Sequence, residues 1–306
     1  MTTLCEHLEE YLRLRRSLGF QLDYPGRLLP TLIEYIDAAG AETITTDLAV
    51  TWAKLPQNVQ PLHWAHRLSA ARGFARYLQT INPATEVPPR DVFGARQQRP
   101  TPYLWSEEDI QRLLDRARLL EPELRAASCG ALLGLLAATG MRIGEAVSLE
   151  RGDVDLADAV IRIRDGKFHR SRLVPIHEST VTALRTYASR RDQLCPMPEL
   201  SAFFISDATR ALTTGSVRSS FIQMTTELGL RTADVHPLLH SLRHTFAVRT
   251  IINWLRTGVD IDVMMPVLAT YLGHVNPVGT YWYLQASPEL MELAALCLDG
   301  RFGAKQ

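Results

Sequence analysis

A chain of 306 residues, 46% of them hydrophobic and 22% charged, has ordinary globular composition and the length for about two domains. Its 33 Lys plus Arg balance 33 Asp plus Glu, so global charge gives no argument for a polyanionic partner, and any nucleic-acid surface has to be local. Four scattered cysteines, Cys5, Cys129, Cys195 and Cys297, include no CxxC pair and suggest neither a disulfide framework nor a zinc knuckle. No window reaches the ~18 uninterrupted apolar residues of a membrane span, and the first twenty residues break their apolar positions with Glu and Arg, unlike a secretory signal. A soluble, cytoplasmic protein is expected.

From Leu4 to about Leu78 apolar residues recur at helical spacing, as in Leu8, Tyr11, Leu12 and Phe74, Tyr77, Leu78, with turn signals at Tyr24-Pro25-Gly26 and Ala39-Gly40. This predicts a helical domain of about four helices over residues 1–95. Residues 80–102 are rich in Pro, polar groups and Arg, which places a linker at 96–102 and a second domain at 103–306. There Ser106 followed by Asp109 reads as a helix cap opening IQRLLDRARLL. The segments AVIRIR (159–164) and SRLVPI (171–176) alternate at period two around DGKFHR, which predicts a β-hairpin. Helical patterning resumes near 178–191, 214–228, 240–256, 261–272 and 287–298. The expected fold class is mainly α with a small β-hairpin, an α+β chain.

Four patches carry unusual chemistry: ATGMRIGEAVSL (138–149), GKFHRSRLVPI (166–176), VHPLLHSLRHTFA (235–247) and YLGHVNPVGTYWYL (271–284). Arg142, read as part of a helix, sits between Met141 and Ile143, an apolar setting in which a guanidinium needs an anionic partner; Glu145, one turn on, could supply it. Lys167 at a hairpin tip is ordinarily a solvent-facing turn residue, but a tip can also deliver an ammonium into a site. His240 and Arg243, at i and i+3, share a helical face and together match a phosphodiester: planar donors for its oxygens beside a group that can carry a proton. His236, His240 and His244 stand at four-residue intervals and could line up on a metal, yet no Cys or carboxylate nearby completes such a site and Pro237 interrupts the helix. His244 reads as a structural histidine, and His274, after Leu272-Gly273, as a histidine at a helix end.

In order and spacing the four patches resemble the tyrosine recombinases, or phage integrases, over nearly the whole second domain. That family's pattern is TGxRxxE, a hairpin Lys in GKxxKxRxVPL, HxLRH, LGH, and a Tyr nine residues after the last His. Arg142 with Glu145, Lys167 before Arg172-Leu173-Val174-Pro175, His240 with Arg243, His274, and Tyr283 match it in turn. The resemblance implies a site-specific recombinase in which Tyr283 attacks a scissile phosphate, giving a 3′-phosphotyrosyl link and a free 5′-hydroxyl. Arg142, Arg243 and His274 would hold the phosphate oxygens, His240 would take or orient the tyrosine proton, and Lys167 would protonate the leaving oxygen. Glu145 and His244 would support them, and no metal or other cofactor is needed. Tyr281 and Tyr271 are the competing nucleophiles. The first domain, with RLSAARGFARYL at 67–78, is similar to the family's DNA clamp, so the resemblance assigns DNA contacts to Arg67, Arg72 and Arg76, and to Arg170 and Arg172 beside the hairpin. The implied partner is double-stranded DNA with specific recombination sites, bound by a tetramer, with other recombinases or accessory factors allowed. Departures are His236-Pro237 two residues too far from His240, Arg170 where a second Lys is common, and a long stretch from Thr250 to Thr270. The alternatives are a type IB topoisomerase and a catalytically idle DNA-binding accessory factor.

Overall fold

The computed structural model describes residues 3–94, 102–166, 170–196, 200–207, 210–274, 278–285 and 289–292. The chain divides into two compact units, Met1–Pro100 and Thr101–Gln306. The linker expected at 96–102 lies, except for Pro102, outside the described residues.

Four helices build the first unit: α1 (Leu4–Ser17), α2 (Asp23–Ala38), α3 (Thr46–Lys54) and α4 (Pro61–Gln79). Local chemistry starts them. Thr3 and Glu6 close a reciprocal capping box on α1, the Thr45 hydroxyl accepts from the Leu48 amide at 3.3 Å, and Pro61 opens α4 where no intrahelical donor is required. Tyr24-Pro25-Gly26, expected as a turn, is instead the first turn of α2, where a proline's missing N–H has no helical partner to lose. The helices enclose Leu29, Leu32, Ile33, Ile36, Trp52 and Phe74. Two of the arginines assigned to DNA belong to this interior. Arg67 lies over the Trp52 ring, 4.1 Å from its centroid, and donates to the Trp52 carbonyl at 3.1 Å. Arg72 donates through Nε to the Pro88 carbonyl at 2.8 Å and through a terminal nitrogen to that of Pro89. Both are about 9% exposed, because amphipathic guanidinium stems fill the core while their heads satisfy backbone carbonyls that close the unit. Arg76 is exposed.

The second unit begins with α5 (Glu107–Arg118), capped by Ser106, whose hydroxyl accepts from the Asp109 amide at 2.9 Å. It continues through α6 (Glu123–Thr139), α7 (Ile143–Val147), β1 (Val154–Asp155), β2 (Val160–Gly166), β3 (Arg170–Pro175), α8 (Glu178–Leu194), α9 (Thr214–Glu227), α10 (Leu239–Arg256), α11 (Ile261–Leu272), α12 (Val278–Tyr281) and a 3₁₀ turn over Trp282–Gln285. The predicted hairpin is β2 and β3, antiparallel with Ile161 opposite Val174, and β1 adds a third strand on the outer edge of β2. Helix α6 is apolar nearly all round, and it packs between α5 and α8 at the centre of the larger apolar cluster. A second cluster gathers Ala247, Val248 and Ile251 of α10, Met265, Leu268 and Leu272 of α11, Tyr283 and Leu290. Leu242 belongs to the first cluster, so α10 runs from one core into the other. The long stretch 250–270 is the end of α10, a tight turn with Gly258 at positive φ, and most of α11. Residues 289–292 are helical, while the rest of the predicted 287–298 helix lies outside the described residues. Among the described residues no helix is long and apolar enough to cross a membrane.

Candidate active site

Helix α6 ends on Gly140 in the left-handed region (φ 61°), and the chain turns there so that Arg142 stands not inside a helix but just before α7, on extended backbone. Glu145 folds back onto it: one carboxylate oxygen accepts from the Arg142 amide at 3.1 Å, the other from its guanidinium at 2.8 Å. Glu145 also receives both terminal nitrogens of Arg172 from β3, at 3.0 and 2.8 Å. Burial of this carboxylate, whose side chain is 6% exposed, would raise its pKa, but the Arg172 and Arg142 bonds outweigh it and hold the group down at about 2. Arg172 completes its bonding through Nε to the Tyr271 carbonyl at 2.8 Å. Its side chain is 10% exposed and all three of its nitrogens donate inside the protein, so Arg172 acts as a strut joining β3, α7 and α11.

Arg243 of α10 is 1% exposed. It donates to the Gly140 carbonyl at 2.9 Å and to the Leu272 carbonyl at 2.7 Å, while Arg142 donates to the Gly273 carbonyl at 2.9 Å. Gly273, like Gly140, ends its helix at positive φ (68°), so the two guanidiniums are held by the carbonyls at the C-terminal ends of α6 and α11, where helix acceptors have no internal partner. Arg243 Nε meets no acceptor among the described residues, which leaves a buried donor for an incoming anion. Burial and the neighbouring Arg142 push the Arg243 pKa down to about 10, with the Tyr283 phenol and Glu145 pulling the other way. The guanidinium stays charged at neutral pH.

The imidazoles and the phenol gather around this pair. His240 and His244, one turn apart on α10, meet edge to face at 4.6 Å between centroids; His244 in turn faces Trp282 at 5.3 Å and Tyr283 at 5.5 Å. His274 lies nearly parallel to the Tyr283 ring, 6.1 Å away, with its Nδ1 2.6 Å from Thr280 Oγ1. Both His240 and His274 are held neutral, at about 4, first by their crowding away from bulk water and then by Arg243 and Arg142 beside them. His240 is nonetheless exposed to solvent. Tyr283 is 2% exposed, Tyr281 40%. Tyr271 stacks on Phe246 at 5.7 Å, reaches the Pro175 carbonyl at 3.3 Å, and is pushed by burial up to about 12, a structural placement. Among the described residues no three His, Cys, Asp or Glu side chains come together as a metal ion needs.

Residues 105–289 match the model of the phage integrase family. The chain belongs to that family. It is similar to the integrase/recombinase y4rB of Sinorhizobium fredii, 42% identical with 99% of each chain covered, and to the tyrosine recombinase XerC of Alcanivorax borkumensis, 31% identical over 71% of this chain and 66% of that one. In fold it resembles the XerH site-specific recombinase bound to its palindromic difH substrate (TM-score 0.68, 20% identity, 91% and 79% covered) and a lambda integrase dimer bound to a COC′ core site (TM-score 0.62, 16% identity, 90% and 96% covered). It is a tyrosine recombinase, a DNA strand transferase, and its mainly helical fold with a small sheet is the family's.

The recombinase brings Arg142, Glu145, His240, Arg243, His244, His274 and Tyr283 together from four separate segments. Lys167 and the side chain of Arg170 lie outside the described residues. Sequence reasoning missed the carbonyls of Gly140, Leu272 and Gly273, which carry no side-chain signature, and it missed Thr280, whose signal is its place between His274 and Tyr283, three residues before the latter.

Proposed function

We propose that this recombinase exchanges strands between specific sites in double-stranded DNA through a covalent bond to Tyr283. The phenolic oxygen attacks the scissile phosphorus, the bond to the 5′-oxygen breaks, and the 3′-phosphate remains on Tyr283; the reverse attack by a 5′-hydroxyl from the partner strand rejoins DNA without ATP. The observation that carries this is the convergence of two guanidiniums, two neutral imidazoles and one buried phenol around Arg243, whose Nε has no acceptor among the described residues.

Arg142 and Arg243 neutralise charge growing on the non-bridging oxygens, where losing one fixed donor costs ~3 kcal/mol, on the order of a hundredfold in rate. His240, neutral at pH 7, has a lone pair for the phenol proton, and an arriving phosphate adds the negative charge that raises its basicity. Lys167 gives its proton to the leaving 5′-oxygen. The chain has three lysines, Lys54, Lys167 and Lys305, among 33 basic residues, and an ammonium can release a proton where a guanidinium cannot. The first unit closes the clamp on DNA with exposed Arg76, Arg170 touches DNA beside the hairpin, four protomers assemble on the paired sites, and the reaction takes place in the cytoplasm.

The test uses a nicked suicide substrate built from the ends of the DNA element that encodes the chain, in excess EDTA. The wild type and Tyr281→Phe should form an adduct that survives denaturing electrophoresis, and Tyr283→Phe should form none while binding DNA within a few-fold. Adducts from Tyr283→Phe, or a strict need for Mg²⁺ in cleavage, would overturn the assignment.

A further inference from the structure

We infer that Thr280 is a positioning residue for the strand-transfer reaction: its buried hydroxyl donates to His274 Nδ1 and so places the histidine's single proton on Nε2. The inference rests on the reading of His274 as a phosphate ligand given above. Thr280 is fully buried (0% exposed), and its Oγ1 lies 2.6 Å from Nδ1. A hydroxyl has one proton to donate, and a buried one that spends it nowhere is costly. Among the described residues Nδ1 is the acceptor within reach of that hydroxyl, and the inference gives the proton of this contact to the threonine.

The choice matters because His274 is neutral. A neutral imidazole carries one N–H and one lone pair, and a phosphate oxygen accepts only from the N–H. With Nδ1 occupied by Thr280, Nε2, on the far side of the ring, is the donor. The charged groups His274 senses are Arg243, Arg142 and Arg172, with His240 alongside, so a phosphate drawn to the arginines meets an N–H there and not a lone pair that would repel it. The opposite tautomer would turn His274 from a donor into an obstacle without moving an atom.

Thr280 also stands three residues before Tyr283, on the α12 segment that leads into the turn carrying the nucleophile. The same stretch of chain therefore delivers the attacking oxygen and sets the proton of the group that binds its target. Docking of Tyr283, whose ring lies along His274, and orientation of His274 are one event.

Thr280→Val keeps the shape and removes the donor; Thr280→Ser keeps the donor. Long-range ¹H–¹⁵N spectra of the full-length protein with ¹⁵N-histidine, at pH 7.5, report each ring's tautomer, and the His274 signals are assigned by their loss in His274→Gln. In the wild type, His274 should show Nε2–H. In Thr280→Val the signals should move toward a mixture of tautomers, with single-turnover cleavage slowed about tenfold and DNA affinity within about twofold, while Thr280→Ser stays within about twofold of wild type on every measure. An Nδ1–H signal in the wild type overturns the inference whatever becomes of the variants. So does Thr280→Ser failing as badly as Thr280→Val, which would mean Thr280 acts through packing, or Thr280→Val cleaving at the wild-type rate. The spectra do not depend on catalysis, so an adduct surviving Tyr283→Phe would sink the functional reading and leave the tautomer result standing.

Discussion

Glu145 shows how a single residue holds a site that it never needs to touch a substrate to serve. Its carboxylate takes two bonds from Arg142 and two from Arg172, and without it two guanidiniums would face each other in a poorly hydrated pocket. Glu145→Gln keeps the shape and removes the charge, so unfolding free energy should fall by about 3 kcal/mol in urea denaturation, and cleavage should fall with the misplaced Arg142. A change under about 0.5 kcal/mol would show that the charge is dispensable. The histidines add a pH dependence whose sign follows from their direction of shift. His240 and His274 titrate at about 4 in the folded chain against 6.5 ordinarily, so the unfolded chain binds more protons between those values and stability falls as pH drops from 6.5 to 4. Above 6.5 both states are neutral and these groups add no slope. Glu145 is held at about 2 against 4.5, so its contribution is complete above 4.5 and is lost as pH falls toward 2. Melting temperatures across pH 7.5 to 4 should decline in the wild type and flatten in a His240→Gln, His274→Gln double variant; a wild-type curve that stays level from 6.5 to 4 would contradict the neutral histidines.

Among the elements, the ends of helices do more for the site than their middles. Arg142, Arg243 and His274 all depend on the left-handed glycines that finish α6 and α11, because a Cβ at either would strain the backbone and clash with Phe246 or Arg172 where the chain turns to present a carbonyl inward. At Gly140 a Cβ would come 2.6 Å from the Phe246 ring, on the same helix that carries Arg243. Gly140→Ala should therefore combine backbone strain with displacement of Phe246, costing about 2 to 4 kcal/mol of stability and slowing cleavage more than binding. Adding Phe246→Leu relieves the clash but not the strain, so recovery should be partial. Full recovery would show that φ at 140 is not under strain. Helix α6 was not legible as an amphipathic element for a physical reason: it is buried nearly all round, so its apolar residues show little period. The hairpin was legible, since one of its faces is buried and alternation survives in Ile161, Ile163 and Val174.

For the whole molecule, the described part of the chain after the nucleophile contributes to folding. Leu290 packs wholly inside the second cluster with Tyr283, and Glu289 bonds Arg256 at 2.6 Å, so the chain just after the nucleophile belongs to its own core. Truncation after Gln285 should thus lower the melting temperature of the monomer, because it strips Leu290 from that core. Truncation after Glu292 keeps Leu290 and removes Leu293, Ala294 and Leu298; on the proposal that four protomers assemble on DNA through this segment, it should leave monomer stability and single-site binding nearly unchanged while reducing higher-order DNA complexes. Equal melting losses in both truncations, measured by calorimetry, would assign the entire segment to the core and count against assembly through it.

The order and spacing of Arg142, Lys167, His240, Arg243, His274 and Tyr283 were readable from the chain through their resemblance to the tyrosine recombinase pattern, which linear spacing records. So was the mainly helical class, since period and caps are local properties. What only the tertiary structure decided was the occupation of each arginine. Arg67, Arg72 and Arg172 look in sequence like Arg76, yet the first three are spent on carbonyls and a carboxylate inside the protein and Arg76 remains outside. A guanidinium takes its partners from whatever the fold brings within about 3 Å, and backbone carbonyls such as those of Gly140 and Gly273 are present at every residue, so nothing in the letters marks the ones a fold will use.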